Sequence, residues 1–111
     1  MTETLILQQI REALGSRPDV RIWRNNSGAL KDFTGRLIHF GVAAPGGSDL
    51  IGWVKVDGRA IFLAIEVKVK TGRVTQAQVD FINFVRQHGG RAGIARTVQD
   101  AEEICYGAIR D

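Results

Sequence analysis

Gly46-Gly47-Ser48-Asp49-Leu50-Ile51 places an acid just after a Gly-rich turn, where an apolar strand begins. The next apolar segment, Ala60 to Val69, contains Ile65-Glu66-Val67-Lys68-Val69 and reads for most of its length as a strand buried on both faces. Side chains alternate along a strand, so Phe62, Ala64, Glu66 and Lys68 share one face. Ile61, Leu63, Ile65, Val67 and Val69 share the other. Glu66 and Lys68 are therefore same-face neighbours about 6–7 Å apart. A carboxylate and an ammonium in such a run are costly unless each is paired or binds a ligand.

Two bland readings compete with a site: an ion pair across the sheet, or a face that is simply wet. Asp49 favours the site. In the expected strand Ser48 to Val56 it shares a face with Ile51 and Trp53, and the turn before it can hold backbone close to a ligand. Lys55-Val56-Asp57-Gly58-Arg59 closes a hairpin with Asp57-Gly58 as its tight turn, which makes the Asp49 and Glu66 strands antiparallel neighbours. A two-residue turn pairs Val56 with Arg59, and the same register carried back sets Asp49 opposite Glu66. Adjacent acids raise each other's pKa unless a cation sits between them. Two carboxylates and a lysine at a sheet edge are the parts of a metal-dependent phosphodiesterase: the acids suit a hard cation such as Mg²⁺, and the lysine orients the attacking water or helps to deprotonate it.

These residues resemble a family. Asp49 with Glu66-Val67-Lys68 matches the Asp…(Asp/Glu)-x-Lys signature of the restriction-endonuclease-like nucleases, a weak pattern alone. Arg24-Asn25-Asn26-Ser27-Gly28, Gly46 to Gly52, and Gln78 after the Glu-x-Lys strand add three motifs in order. Together they resemble the VRR-NUC (virus-type replication-repair nuclease) domain in the small stand-alone form of phages and bacteria, from Glu3 to about Arg96. The family often has Pro-Asp or Ser-Ser-Asp where this chain has Gly47-Ser48-Asp49.

The resemblance implies a restriction-endonuclease-like α/β fold and Mg²⁺- or Mn²⁺-dependent hydrolysis of DNA. Asp49, Glu66 and the backbone carbonyl of Val67 would hold the metal, with Glu3 as a further acid. Lys68 would position the nucleophilic water and Gln78 would complete the catalytic set. Arg24, Asn26, Ser48, Lys70 and Arg73 would contact DNA. Stand-alone relatives act as homodimers on branched or flapped DNA, in the manner of Holliday-junction resolvases, so replication, repair or recombination is the implied setting. The alternative is a non-catalytic DNA-binding module that keeps the nuclease fold; the third reading is a metal-independent domain with a buried ion pair.

Composition agrees with one soluble domain over residues 1–111. Apolar residues make up 44% and charged residues 24%, and Lys+Arg 15 against Asp+Glu 12 gives +3, mildly basic and compatible with a nucleic-acid partner. A single cysteine, Cys105, excludes an internal disulfide and a Cys-based zinc site and suits a reducing cytosol. No apolar run approaches the ~20 residues of a membrane span. The start lacks a signal-peptide pattern, so a cytoplasmic protein, away from membranes, is expected.

Along the chain, Thr2 to Leu14 reads as an amphipathic helix with the apolar stripe Ile6, Leu7, Ile10 and Leu14. Glu3 heads that stripe and either favours the helix N-terminus or serves the site. Val20 to Arg24 alternates as a strand, and Asn25 to Gly28 and Lys31 to Gly35 read as turns. Arg36 to Phe40 is a short strand that pairs with the Val20 segment or the one that follows. Gly41 to Gly47 is the loop that delivers Asp49, and its glycines suit close approach of a DNA backbone; no GxGxxG or GxxxxGK[ST] spacing is present. Lys70 to Val74 is a basic loop. Thr75 to His88 is a helix in which Thr75-x-x-Gln78 reads as a capping box, so Gln78 either caps or reaches the site. Gly89-Gly90 ends it. Arg91 to Arg96 is the last strand, and Thr97-x-x-Asp100 caps a final helix with the face Val98, Ala101, Cys105, Ala108 and Ile109. His39 and His88 have no metal-ligand spacing. The expected order is α-β-β-β-β-α-β-α, a mixed sheet flanked by helices.

Overall fold

The computed structural model describes residues 1–107. In chain order its elements are α1 (Glu3–Gly15), β1 (Val20–Arg24), β2 (Gly28–Lys31), β3 (Leu37–Phe40), β4 (Leu50–Val56), β5 (Arg59–Val67), α2 (Gln76–Gln87), β6 (Arg91–Ala95) and α3 (Val98–Tyr106). Asp57 and Gly58, both at positive φ (50° and 77°), make the tight turn between β4 and β5. The expected register follows, from Val56 opposite Arg59 to Leu50 opposite Ile65. β6 lies parallel to β5, a pairing that needs a crossover, and α2 supplies it. The result is a four-stranded mixed sheet in the order β1-β4-β5-β6.

The alternation of β5 divides the core. Leu63, Ile65 and Val67 point to the face covered by α1 and α3, where they meet Ile6, Ile10, Leu14, Val20, Ile22, Leu50 and Val54. Fully burying each Leu or Ile there stabilises by about 1.5–3 kcal/mol. Ala64, on the opposite face, packs with Ala92 of β6 beneath Ile82 and Val85 of α2. Cys105 is a core thiol, 1% exposed, and burial pushes its pKa up to about 12. Ala101 is buried beside it; Ala108 and Ile109, expected on the same face, lie outside the described residues.

The fold class is the expected α/β, with a mixed sheet flanked by helices and one strand more than expected. Gly28–Lys31, whose Gly-Ala-Leu-Lys has no readable period, is a strand. Arg36 to Phe40 pairs with it, not with β1 or β4: β2 and β3 form a separate two-stranded sheet, Gly28 opposite Phe40 and Lys31 opposite Leu37. The Lys31 to Gly35 turn is real, with Asp32 Oδ1 accepting from the Thr34 and Arg36 N–H groups, both at 2.9 Å. No described helix is long and apolar enough to cross a membrane.

Candidate active site at the edge of the sheet

At the end of β5 the apolar strand carries Glu66, 2% exposed. One step beyond the last β4–β5 pair, Asp49 arrives beside it, and its Oδ2 accepts the Val67 N–H at 2.8 Å. Lys68 Nζ stands 3.9 Å from Glu66 Oε2, with the two side chains only 12% and 3% exposed. Glu66 Oε1 is buried without a hydrogen-bond partner. Burial pushes the Glu66 carboxyl well above the usual carboxylate range, to about 9; the Asp49 carboxyl next to it pushes the same way, Glu3 adds to this, and the Lys68 ammonium only partly opposes it. The group is therefore short of positive charge.

Two residues not expected at the site hold it in shape. The Asn25 side chain donates to the carbonyls of Val42 (2.8 Å) and Ser48 (3.1 Å) and accepts the Val42 N–H (2.9 Å). Its backbone N–H donates to the Asp49 carbonyl at 2.7 Å. Asn25 thus closes the loop that delivers Asp49. On the other side, Arg96 Nη1 donates to the carbonyls of Val69, Lys70 and Gly72, pinning the loop after Lys68, while the Lys68 N–H donates to Ala95 of β6. Asn25 sat inside a motif read as a turn; Arg96 gave no signal beyond a base at a strand end. The glycines of the delivering loop serve the chain's own packing: a Cβ on Gly47 would lie 2.0 Å from the Val42 carbonyl oxygen, and Gly46, at φ +101°, abuts the Ala77 backbone.

Glu3, Arg24, Asp49 and Val67 line one depression of about 90 Å³ together with Thr4 and Leu7. Glu3 is exposed at the head of α1, where Thr2 serves as the cap, its hydroxyl accepting the Leu5 N–H at 3.1 Å. Lys70 and Arg73 are exposed on the loop that Arg96 holds, and Asn26 is exposed next to the buried Asn25. Ser48, expected at the DNA, is 1% exposed, with its hydroxyl buried and unpartnered beneath the loop. Gln78 forms the capping box: its Oε1 accepts the Thr75 N–H at 2.9 Å and its own N–H donates to the Thr75 hydroxyl at 3.2 Å. None of its described hydrogen bonds reaches Asp49, Glu66 or Lys68. His88 Nδ1 bonds the Phe84 carbonyl at 2.8 Å, and His39 is exposed on β3.

Among the described residues, no three His, Cys, Asp or Glu side chains gather closely enough to hold a metal ion. Asp49 and Glu66 are a pair, so an ion held there would also draw on backbone oxygen or solvent.

A family model described as the VRR-NUC domain matches residues 31–99, more than half of the 111-residue chain. The matched segment contains Asp49, Glu66, Val67, Lys68 and Gln78 and leaves Glu3, Arg24 and Asn25 outside. Neither the curated proteins nor the solved structures give a match.

Proposed function

Because the chain belongs to the VRR-NUC family of nuclease domains, we propose that it is a divalent-metal-dependent DNA endonuclease, acting as a homodimer on branched or flapped DNA. The observation that carries this reading is the buried, unpartnered Oε1 of Glu66, held against Asp49 with one lysine nearby. An unsatisfied buried carboxylate oxygen costs about 1–3 kcal/mol, and here it belongs to a group in which a second acid, Asp49, deepens the shortage of positive charge. A hard dication fits that deficit, because it prefers oxygen ligands. Asp49, Glu66 and the Val67 carbonyl would hold it, with Glu3 across the depression as the further acid. Bound Mg²⁺ or Mn²⁺ supplies positive charge that stabilises the phosphoryl oxygens as charge develops on them.

The chain's own groups do the rest. Lys68 orients the attacking water and stabilises its developing negative charge. Arg24, Lys70 and Arg73 hold phosphates without reading bases. Asn25 and Arg96 fix the two loops that set Asp49 and Lys68 relative to Glu66. One site cuts one strand, so a symmetric double cut needs a second copy. The exposed Leu30, Phe33, Leu37 and Ile38 of the β2–β3 hairpin favour such a contact.

The deciding experiment is cleavage of a four-way junction and a linear duplex, with Mg²⁺, Mn²⁺ or EDTA, by wild type and Lys68→Ala. Metal-dependent cutting lost in the variant is expected, with the junction preferred. Salt-sensitive binding without cutting under either metal would instead identify a DNA-binding module that retains the nuclease fold.

A further inference from the structure

The sheet face that carries Asp49 and Glu66 is covered over only part of its width. α2 packs Ile82 and Val85 onto Ala64 and Ala92, that is, onto β5 and β6. The registers fill the remainder row by row. Next to Asp49 and Glu66 come Trp23 and Ile51, the latter packed against the α2 cluster; then Arg21, Trp53 and Phe62; then Lys55 and Ala60. Trp23, Trp53 and Phe62 are 49%, 41% and 42% exposed, and Arg21 and Lys55 are exposed as well. The two indoles meet edge to face, with centroids 5.3 Å apart and planes at 67°. The one acid that the register adds to these rows is Asp19, opposite Lys55, whose carboxylate accepts the Tyr106 hydroxyl at 2.9 Å, and each row is a step of about 6–7 Å along the strand. The strip therefore runs straight out of the candidate active site.

Its chemistry selects the occupant. A two-fold contact between copies would bring the same face against itself and so gather two copies each of the exposed Arg21 and Lys55 into one interface. Apolar surface suited to a second copy lies instead on the β2–β3 hairpin. A polyanion with exposed flat bases fits both features: bases stack on indole and phenyl rings while the cations take the phosphates. Duplex DNA cannot use the rings, because its bases are already stacked on one another.

We propose that this bare half-face is a stacking platform for the unpaired bases of a DNA strand entering the Asp49–Glu66–Lys68 site. The preferred substrate is then DNA with a single-stranded segment beside the bond to be cut. This rests on the nuclease reading above, and it gives selectivity for branched or tailed DNA a physical source on this chain.

Both tryptophans of the protein lie on the platform, so intrinsic tryptophan emission reports on it directly. With EDTA present to prevent cleavage, the full chain is titrated with oligothymidine, with a blunt duplex, and with that duplex carrying a single-stranded tail. Oligothymidine and the tailed duplex should quench the emission. Trp53→Ala should weaken binding of both about tenfold and leave blunt-duplex binding unchanged, and Trp53→Phe should restore most of the loss. Absence of quenching by oligothymidine, or equal weakening of blunt and single-stranded DNA, would overturn the platform. So would emission that changes with protein concentration without DNA, together with a shift to smaller species in Trp53→Ala by ultracentrifugation; that result gives the face to a second copy. Junction cleavage with Mg²⁺ is read separately. Its loss with quenching intact rejects only the nuclease, and cleavage without quenching rejects only the platform.

Discussion

Two antiparallel hairpins in this chain use the same pairing rules to opposite ends. β4 and β5 lie inside the sheet, and the Asp57-Gly58 turn and two apolar faces fix their register. β2 and β3 have four residues each and stand apart as a sheet of their own, with all of β3 and most of β2 exposed. An isolated two-stranded hairpin is marginal in water. The first hairpin has packing to spare and uses it to hold a buried acid in an unfavourable setting. The second has apolar side chains and nothing described that covers them. The difference separates a region whose packing holds an acid in an unfavourable setting from one whose apolar side chains face solvent.

That contrast is broken most severely at the site. Lys68→Ala and Asp49→Ala should each lower metal-dependent cleavage by about 10²–10³-fold or more, the scale seen when one preorganised charged or hydrogen-bonding group is removed. Lys31→Ala, the same kind of truncation on β2, should leave kcat unchanged. Initial rates on a nicked or branched substrate, with circular dichroism to check folding, decide this; equal losses at positions 31 and 68 would mean general DNA affinity and not chemistry.

Asn25→Ala comes next. It leaves the Val42 N–H and the Val42 and Ser48 carbonyls without their partner, in and beside a buried site. Unsatisfied groups of this kind cost about 1–3 kcal/mol each, so a loss of roughly 2–4 kcal/mol is expected by urea unfolding. Because the loop delivers Asp49, kcat should fall more than KM rises. Asn26→Ala, one residue on and exposed, should change neither stability nor the balance between kcat and KM.

Glu66→Gln tests the strain inside the first hairpin. In the metal-free protein the folded state keeps a proton on Glu66 that the unfolded chain gives up near the ordinary value of 4.5. The folded state therefore binds more protons across the window from about 4.5 to about 9, and its stability falls as pH rises through that window. Glutamine has no such proton to keep, so the substitution should flatten this slope and raise stability at pH 8 by about 1–3 kcal/mol, because the unfolded wild type gains a solvated carboxylate there that the folded state forgoes. Thermal melts in EDTA from pH 5 to pH 9 measure it. A variant less stable than wild type at pH 8 would show that Lys68 satisfies the carboxylate fully.

The first hairpin and most of the site could be read in the sequence because their determinants are local. A two-residue turn plus strict alternation leaves one register, and that register alone brings Asp49 to Glu66. The capping box at Thr75 and Gln78 is likewise a matter of spacing. What escaped reading depends on contacts between distant parts of the chain. Asn25 bonds residues 17 and 23 positions away, and Arg96 reaches back by as many as 27. Asn-Asn-Ser-Gly reads the same whether the first asparagine is a turn residue or a fastener. The burial of Ser48 likewise depends on the fold of the loop around it and not on its neighbours in sequence. β2 has too few residues, and too little period, for any pattern to show.

The smallest change to the fold, and the sharpest test of the second hairpin, is Leu30→Ser with Phe33→Ser. These side chains are 66% and 100% exposed, so the monomer loses little: surface changes of this kind stay within about 0.5 kcal/mol. Together with Leu37, Ile38, Phe40 and Val42, which are 41–55% exposed, they form the apolar surface of the hairpin. If a second copy covers the hairpin, sedimentation of wild type should show a dimer and the double variant a monomer. Each monomer would keep its own Asp49–Glu66–Lys68 group, so the variant should still nick one strand while losing paired cuts in both. A wild type that stays monomeric at every concentration would remove the hairpin as a dimer surface. Loss of nicking in a well-folded monomeric variant would show that the hairpin serves the site of its own chain.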